Sequence, residues 1–244
     1  LKLWEGLGYY SRCRNFFKAC QIIVSKYNGI IPADFIKLTS LPGIGPYIAG
    51  AVLSIGFNKS QPAIDGNINR IMFRYLGLKN QTNYNKKRVC SKLMTFINVR
   101  PGDVLQSLMD LGSSICKHSS VDCVKCPLSG SCKAFLNGEP LLFPLPKHKK
   151  VLPVKKIIAG LVRKNNKILI VKRKKDGALG GLWELPMIIV SDNSDYSLFK
   201  SYLKNKYNLN LKINNKIGNI IHTFSHYKMN ISIFNCETLS SITN

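Results

Sequence analysis

Hydrophobic residues in the first 135 positions recur at the spacing of amphipathic helices. In residues 15–26 the apolar side chains fall on one side at helical intervals, which predicts a helix. The same spacing predicts further helices over residues 34–40, 46–56, 67–76, 86–97 and 103–115. No strand-like alternation interrupts this part of the chain. We therefore expect a mainly α domain over residues 1–135.

The hydrophobic period changes to two from about residue 156. Residues 157–162 and 168–171 alternate as strands do, and a turn at residues 164–166 separates them. Residues 216–224 and 228–236 read as two more strands, and residues 196–207 suit a helix. This pattern predicts a smaller α/β domain over residues 154–244.

A stretch rich in proline and lysine separates the two patterns. It contains Pro140, Pro144, Pro146 and Pro153, with a basic run between them. Closely spaced prolines stiffen a chain and prevent regular structure. We therefore interpret residues 136–153 as a stiff basic linker between the domains.

The charge of the chain is strongly basic. Lys and Arg number 36 and Asp and Glu 12, which gives a formal net charge of +24. Such an excess favours a polyanionic partner, because cations at phosphates release condensed counterions. A lysine-rich but merely solvated surface explains the composition equally well. No run of 18 apolar residues exists, so no membrane span is predicted.

Residues 41–50 read Leu-Pro-Gly-Ile-Gly-Pro-Tyr-Ile-Ala-Gly between two predicted helices. The glycines permit a tight turn and a close approach of backbone N–H groups to a phosphate. We interpret the segment as a helix-hairpin-helix motif that binds the DNA backbone through Gly43, Ile44 and Gly45. An ordinary corner between two helices is the alternative, and the basic charge favours phosphate binding.

Four of the eight cysteines fall close together, at Cys116, Cys123, Cys126 and Cys132. Four thiolates in one short loop can hold zinc or an iron–sulfur cluster. Zinc ribbons usually have two Cys-x2-Cys pairs and this loop has one, so the spacing favours a cluster. We expect the other four cysteines to behave as small buried hydrophobic residues: Cys13, Cys20, Cys90 and Cys236.

The motifs together resemble the endonuclease III-like glycosylase superfamily. The resemblance rests on the helix-hairpin-helix, on Ala-Ile-Asp-Gly-Asn at residues 63–67 and on the cysteine spacing. Trp-Glu-Gly-Leu-Gly-Tyr-Tyr-Ser-Arg at residues 4–12 is similar to the adenine DNA glycosylase (MutY) family. Leu-Trp-Glu-Leu-Pro at residues 182–186 and Phe-Ser-His at residues 224–226 are similar to the same family. The resemblance to this superfamily implies a [4Fe–4S] cluster on the four cysteines.

The resemblance also implies catalytic roles. Asp65 corresponds to the carboxylate that stabilises the oxocarbenium-like cation on the sugar during N-glycosidic cleavage. Asn67 is expected to assist near the sugar. Their alternative interpretations are a helix N-cap and a first-turn residue.

Two tyrosines receive roles from the same resemblance. Tyr47 stands where bifunctional relatives carry a lysine that forms a Schiff base, which implies a monofunctional glycosylase. Tyr9 corresponds to a tyrosine that intercalates beside the orphaned base and stabilises a flipped adenine. A packed aromatic residue is the alternative interpretation for each of them.

The second domain resembles a Nudix fold without the glutamate-rich helix that holds Mg²⁺ in hydrolases. After Glu184 its only acidic residues are Asp192, Asp195 and Glu237. The resemblance therefore implies recognition of a lesion. Phe224, Ser225 and His226 correspond to the loop that contacts 8-oxoguanine, with Ser225 as the hydrogen-bonding side chain and His226 as a probe of the lesion.

The implied function is hydrolytic removal of adenine opposite 8-oxoguanine or guanine in double-stranded DNA. We expect a monomer that binds no membrane and works in a bacterial cytoplasm at the nucleoid, or in a eukaryotic nucleus or mitochondrion. The alternatives are a glycosylase for thymine or another mispaired base, and a non-catalytic lesion-binding protein.

The general acid of the family is a glutamate upstream of the motif that contains Trp4. The four glutamates of the chain all lie in other contexts: Glu5, Glu139, Glu184 and Glu237. The chain opens at Leu1 without a methionine, so we expect a fragment that lacks this acid and has little or no activity alone.

Overall fold

The computed structural model describes most of the chain as two compact units. The described residues are 2–146, 151–174, 179–191 and 196–239. The greater part of residues 2–146 forms a helical unit, and residues 151–239 form an α/β unit that also includes residues 6–11. Among the described residues, no helix combines the length and the apolar character that crossing a bilayer would require.

Seven helices build the N-terminal part of the chain. They are α1 (Tyr10–Tyr27), α2 (Phe35–Thr39), α3 (Pro46–Ala51), α4 (Gly66–Tyr75), α5 (Asn83–Phe96), α6 (Pro101–Ser114) and α7 (Lys133–Leu136). A π-helical turn, Val52–Gly56, continues α3. The helix predictions are confirmed, although α1 begins five residues and α5 three residues earlier than the pattern indicated.

Local chemistry explains where these helices begin. The Asp34 carboxylate accepts a hydrogen bond from the Lys37 N–H at 2.8 Å and caps α2. The Thr82 hydroxyl accepts one from the Asn85 N–H at 3.2 Å and caps α5. Proline occupies the first turn of α3 and of α6, where its missing N–H costs nothing.

The core of the helical unit forms around α4. Ile68, Met72 and Phe73 are fully buried and pack with residues of α5 and α6 such as Leu93 and Leu105. A second cluster joins α1, α2 and α3 and includes Ala19, Leu38, Leu41, Ala49 and Leu53. Because α4 is buried along its apolar face, the residues at its N-terminus have a rigid support.

Within residues 151–174, 179–191 and 196–239, the α/β unit contains seven strands and one helix. They are β1 (Val154–Lys164), β2 (Lys167–Ile168), β3 (Val171–Lys172), β4 (Trp183–Glu184), β5 (Met187–Val190), α8 (Tyr196–Tyr207), β6 (Leu211–Thr223) and β7 (Lys228–Thr238). In the main sheet β1 pairs in parallel with β7 and antiparallel with β2 and β5, and β6 pairs with β7. Strands β3 and β4 form a separate antiparallel pair.

Helix α8 covers one face of the main sheet. Phe199 and Leu203 of α8 are fully buried against Ile158 and Val162 of β1. The predicted helix over residues 196–207 is confirmed as α8. The predicted strands over residues 216–224 and 228–236 are confirmed and correspond to β6 and β7. The predicted fold class, a mainly α domain followed by an α/β domain, is confirmed as well.

The structure describes residues 136–146 and 151–153 of the predicted linker. Residues 139–146 lie against the helical unit, where Phe143 is buried and the Leu145 N–H donates to the Lys79 carbonyl at 2.9 Å. Residues 147–150 lie outside the described residues. The domain boundaries at 135 and 154 remain predictions.

Candidate active site and metal centre

The turn between α2 and α3 has the form expected of a phosphate-binding hairpin. Gly43 has φ of +80°, a conformation that favours glycine. A Cβ atom on Gly43 would lie 2.7 Å from Cβ of Asn15, so the turn also needs glycine for space. At Gly45 a Cβ atom would meet nothing within 4 Å, which leaves the start of α3 open to a partner.

Asp65 caps the N-terminus of α4 and holds Asn67 as well. Oδ1 of Asp65 accepts from the Ile68 N–H at 2.7 Å, and Oδ2 accepts from Nδ2 of Asn67 at 3.1 Å. Both carboxylate oxygens are therefore oriented by fixed donors. The N-cap interpretation of Asp65 is confirmed, and it is compatible with the catalytic interpretation because the cap fixes the carboxylate.

Arg70 connects this carboxylate to the cysteine loop. Its Nη2 donates to Oδ1 of Asn67 at 2.9 Å and to the Gly112 carbonyl at 2.7 Å. Its Nε donates to the Cys116 carbonyl at 2.9 Å. A Cβ atom on Gly112 would lie 2.6 Å from Cβ of Asn67, so glycine lets α6 approach α4 closely enough for this network.

The charges around Arg70 act in opposite directions. Burial lowers the pKa of the Arg70 guanidinium, and the neighbouring Arg74 lowers it further. Cys116 and Asp65 oppose this by raising the same pKa. Arg70 and Arg74 lie one helical turn apart on α4. Their positive charges repel each other, and a negative charge at Cys116 would offset that repulsion.

The four loop cysteines line one cavity. Its apolar walls come from α4 and α6 and include Ile71 and Leu111. Burial raises the pKa of the Cys123 thiol, and charge on the other three cysteines raises that pKa further. Burial also raises the pKa of Cys126. Several cysteines around one cavity are the kind of ligand set that zinc and iron–sulfur sites use.

Within the described ranges, no three His, Cys, Asp or Glu side chains converge tightly enough to hold one metal ion. A tetrahedral zinc site would bring its sulfurs to about 3.8 Å from one another, given bonds of about 2.3 Å. A polynuclear cluster has a larger core and needs ligands spread around a cavity. Four cysteines are a ligand set that either kind of centre uses.

In the α/β unit, residues 224–227 form the turn between β6 and β7. The Phe224 N–H donates to the Tyr227 carbonyl at 2.9 Å, and the two rings lie 5.0 Å apart. The Phe224 ring also meets His222 edge-on at 4.5 Å. Ser225 and His226 are exposed at the tip of this turn.

Two family profiles match parts of the chain. The profile of the helix-hairpin-helix motif matches residues 26–55, and that of the NUDIX domain matches residues 158–244. An adenine DNA glycosylase of Buchnera aphidicola subsp. Acyrthosiphon pisum (strain APS) is 34% identical over 95% of this chain and 65% of its own length. That of Buchnera aphidicola subsp. Baizongia pistaciae (strain Bp) is 33% identical over the same shares. The chain is therefore similar to adenine DNA glycosylases over nearly its whole length.

The chain spans about 65% of the length of the curated relatives named above. Among solved structures, a non-covalent endonuclease III–DNA complex matches with 29% sequence identity and a TM-score of 0.45. That match covers 55% of this chain and 61% of the other.

The structure joins some of the predicted site residues and leaves others apart. Asp65 and Asn67 meet directly, and the four cysteines meet in one cavity. Tyr47 lies on α3 with 42% of its surface exposed, and among the described residues no hydrogen bond joins it to Asp65 or Asn67. Tyr9 is 66% exposed and has φ of +44°. Neither tyrosine is a buried core residue, and their roles at DNA remain predictions.

Two arginines of the site were not predicted from the sequence. Arg70 and Arg74 are spaced one turn apart on α4, and both donate to the cysteine loop. A pair of arginines one turn apart, on a helix that also carries Ile68, Ile71, Met72 and Phe73, was the available signal. In a chain with 36 basic residues that signal is indistinct.

Proposed function

We propose that the chain is the core of an adenine DNA glycosylase that hydrolyses the N-glycosidic bond of adenine opposite 8-oxoguanine or guanine. The observation that carries the proposal is the fixed carboxylate of Asp65, whose two oxygens are oriented by Ile68 N–H and Asn67. A preorganised carboxylate stabilises a developing cation without reorganising during the reaction. The sugar cation of N-glycosidic cleavage is such a species.

Each further residue has one role in this mechanism. Asn67 holds Asp65 and, with Tyr47, shapes the pocket for the sugar. The backbone N–H groups of Gly43 and Gly45 bind a phosphate of the damaged strand. The Ile44 N–H, expected to do the same, donates to the Leu41 carbonyl at 3.1 Å and closes the turn. Tyr47 replaces an amine nucleophile, so the enzyme releases the base and leaves the strand intact. Tyr9 intercalates beside the orphaned base.

The four loop cysteines would hold a [4Fe–4S] cluster. Cys116, Cys123, Cys126 and Cys132 provide four thiolates on one cavity, which fits the ligand set of such a cluster. When bound, the cluster would make the loop rigid beside DNA, while the reaction takes place at Asp65. Lys117, Lys125 and Lys133 of the same loop would face the phosphates.

The turn at residues 224–226 would read the base opposite the adenine. Ser225 offers a hydroxyl and His226 an imidazole at an exposed tip, where a base edge can reach them. We propose double-stranded DNA with A:8-oxoguanine or A:G mispairs as the partner of a monomeric protein. The place of action is the nucleoid of a bacterial cytoplasm, or the nucleus or mitochondrion of a eukaryote.

Base release also needs a proton donor for adenine. None of the four glutamates has the sequence context of the family's general acid, so we expect these 244 residues alone to release adenine poorly. A chimera in which the N-terminal residues of one of the two Buchnera aphidicola relatives precede this chain should restore the release of adenine. Rapid release by the unmodified chain would contradict this expectation.

Single-turnover assays on an A:8-oxoguanine duplex test the proposal with the active chimera. Asp65→Asn should lower the rate by about 100-fold or more, because the developing cation loses its countercharge. Asparagine is also a good N-cap, so the fold is kept. The matched control is Asp34→Asn, which changes the N-cap of α2 in the same way and should leave the rate unchanged.

The substrates decide between the proposal and its alternatives. Faster release of thymine from T:G than of adenine would identify a glycosylase for another base. Tight binding of the 8-oxoguanine duplex without release by the chimera would identify a lesion-binding protein. Equal loss of rate in Asp65→Asn and Asp34→Asn would show that Asp65 is only a helix cap.

A further inference from the structure

Arg74 is a buried arginine in the last turn of α4. Only 3% of its surface is exposed. A guanidinium carries five N–H donors and a permanent charge, so burying it is costly unless both are satisfied. Among the residues that the structure describes, no carboxylate forms an ion pair with Arg74. The compensation must therefore come from other groups.

The donors of Arg74 reach two separate segments of the chain. Nη1 donates to Sγ of Cys116 at 3.1 Å and to the Lys117 carbonyl at 2.7 Å. Nη2 donates to the His118 carbonyl at 3.3 Å. Nε donates to the Phe143 carbonyl at 3.0 Å. One planar group thus ties the start of the cysteine loop to the segment after α7.

The segment that contains Phe143 is itself held at this end of α4. Phe143 is 3% exposed, and Nζ of Lys79 lies 5.6 Å from its ring centroid. The Leu145 N–H donates to the Lys79 carbonyl. Residues 140–146, which we call the docked segment, therefore pack where Arg74 ends, and Arg74 is their polar link to the cysteine loop.

The missing countercharge is explained by what the loop would hold. Four thiolates outweigh the positive charge of the iron–sulfur core that they bind, so the loaded site is anionic. A buried cation that donates to a cysteine sulfur offsets that charge through a charge-assisted hydrogen bond. Lysine would supply the charge without the fork that reaches three carbonyls.

We propose that Arg74 is a positioning residue that holds Cys116 for the cluster and couples cluster loading to the docked segment. The inference rests on the cluster assignment under the proposed function. It predicts that loss of either Arg74 or the cluster loosens residues 140–146. The coupling runs through one side chain, so it can be broken at one position.

The first experiment compares Arg74→Gln and Arg74→Lys with the unmodified chain after anaerobic purification. Iron and sulfide per chain and the rate of cluster loss in air are measured. Arg74→Gln should lose the cluster about tenfold faster or more, as for other partners of metal ligands. Arg74→Lys should lie between the two. The matched control is Arg88→Gln, which removes the same charge from an exposed position of α5.

Two further readouts separate positioning from a general loss of stability. The reduction potential of the cluster should become more negative in Arg74→Gln, because a hydrogen bond to a cluster sulfur favours the reduced state. Hydrogen exchange at the Leu145 amide should be faster in Arg74→Gln, although its acceptor, Lys79, is untouched. Removing iron from the unmodified chain should accelerate hydrogen exchange at the Leu145 amide. Exchange at the Leu93 amide in α5 should be unchanged.

Each outcome decides one part of the inference. Iron content and air stability of Arg74→Gln equal to those of the unmodified chain would overturn the positioning role. An unchanged Leu145 amide after both Arg74→Gln and iron removal would overturn the coupling. If Arg74→Gln does not fold by circular dichroism, Arg74→Lys decides both. Zinc or no metal in the unmodified chain would refute the cluster itself, whereas the response of Leu145 to Arg74 would still be measurable.

Discussion

The two units of the chain position their candidate residues in different ways. In the helical unit, hydrogen bonds join residues distant in sequence, such as Arg70 with Gly112 and with Cys116. In the α/β unit, Ser225 and His226 stand on a turn closed by its own neighbours, Phe224 and Tyr227. Chemistry that depends on a fixed carboxylate needs the first kind of support. Recognition of an opposite base is compatible with the second.

The difference also indicates how far the effects of a substitution should extend within each unit. A change at α4 is felt by the carboxylate, by the cysteine loop and by the docked segment, because Arg70 and Arg74 connect them. A change at the tip of the β6–β7 turn meets solvent and its local neighbours. We therefore expect effects on the helical unit to be large and shared, and effects on the turn to be small and specific.

The largest effect should come from the cysteine loop. Cys126→Ser should abolish cluster loading, because one of four ligands is lost, and iron analysis together with visible absorption measures this. Base release by the active chimera should fall with it.

The matched control is Cys236→Ala in the α/β unit. Cys236 is fully buried in the core of the α/β unit and is not among the residues that line the cavity of the four loop cysteines. Cys236→Ala and Cys13→Ser should keep full iron content. Loss of iron in either variant would contradict the four-ligand assignment.

Much of the fold and part of the candidate site could be predicted from the sequence. Apolar period, prolines and glycines identify the helices, the hairpin turn at Gly43 and the strands, because those signals are local. The cysteine spacing is a local signal as well, whereas the roles of Asp65 and Asn67 were implied by the resemblance to the glycosylase superfamily. The contacts of Arg70 and Arg74 join α4 to residues 112–118 and 143, and no local pattern reports such pairings.

The predicted linker shows the same limit in another form. Four prolines and several lysines indicate an extended segment, yet residues 140–146 pack on the helical unit. Burial of Phe143 and the bonds from Arg74 and Leu145 stabilise that packing. Composition describes the intrinsic stiffness of a segment, whereas its docking depends on a surface made elsewhere in the chain.

A smaller effect is expected where the carboxylate is held. Asn67→Ala removes the hydrogen bond to Asp65 and leaves Arg70 with one acceptor fewer. We expect the single-turnover rate of the active chimera to fall by about tenfold, in line with about 1.4 kcal/mol for one charge-assisted hydrogen bond. Iron content should stay unchanged.

Asn69→Ala is the control for this change, because it makes the same substitution two residues further along α4. A rate as high as that of the unmodified chimera in Asn67→Ala would show that the N-cap bond from Ile68 alone fixes Asp65. The comparison between the two units would then lose its main support.

The smallest effect should come from the turn between β6 and β7. Ser225→Ala removes one exposed hydroxyl, so the fold and the iron content should be unchanged. If that hydroxyl reads 8-oxoguanine, release of adenine opposite 8-oxoguanine should slow by roughly fivefold to tenfold, which corresponds to about 1 kcal/mol for one hydrogen bond. Release opposite guanine should change less, so the ratio of the two rates is the measurement. Ser201→Ala, an exposed serine on α8, is the control. Equal slowing on both substrates would assign Ser225 to general DNA binding, and the turn would then resemble the hairpin at Gly43 in function.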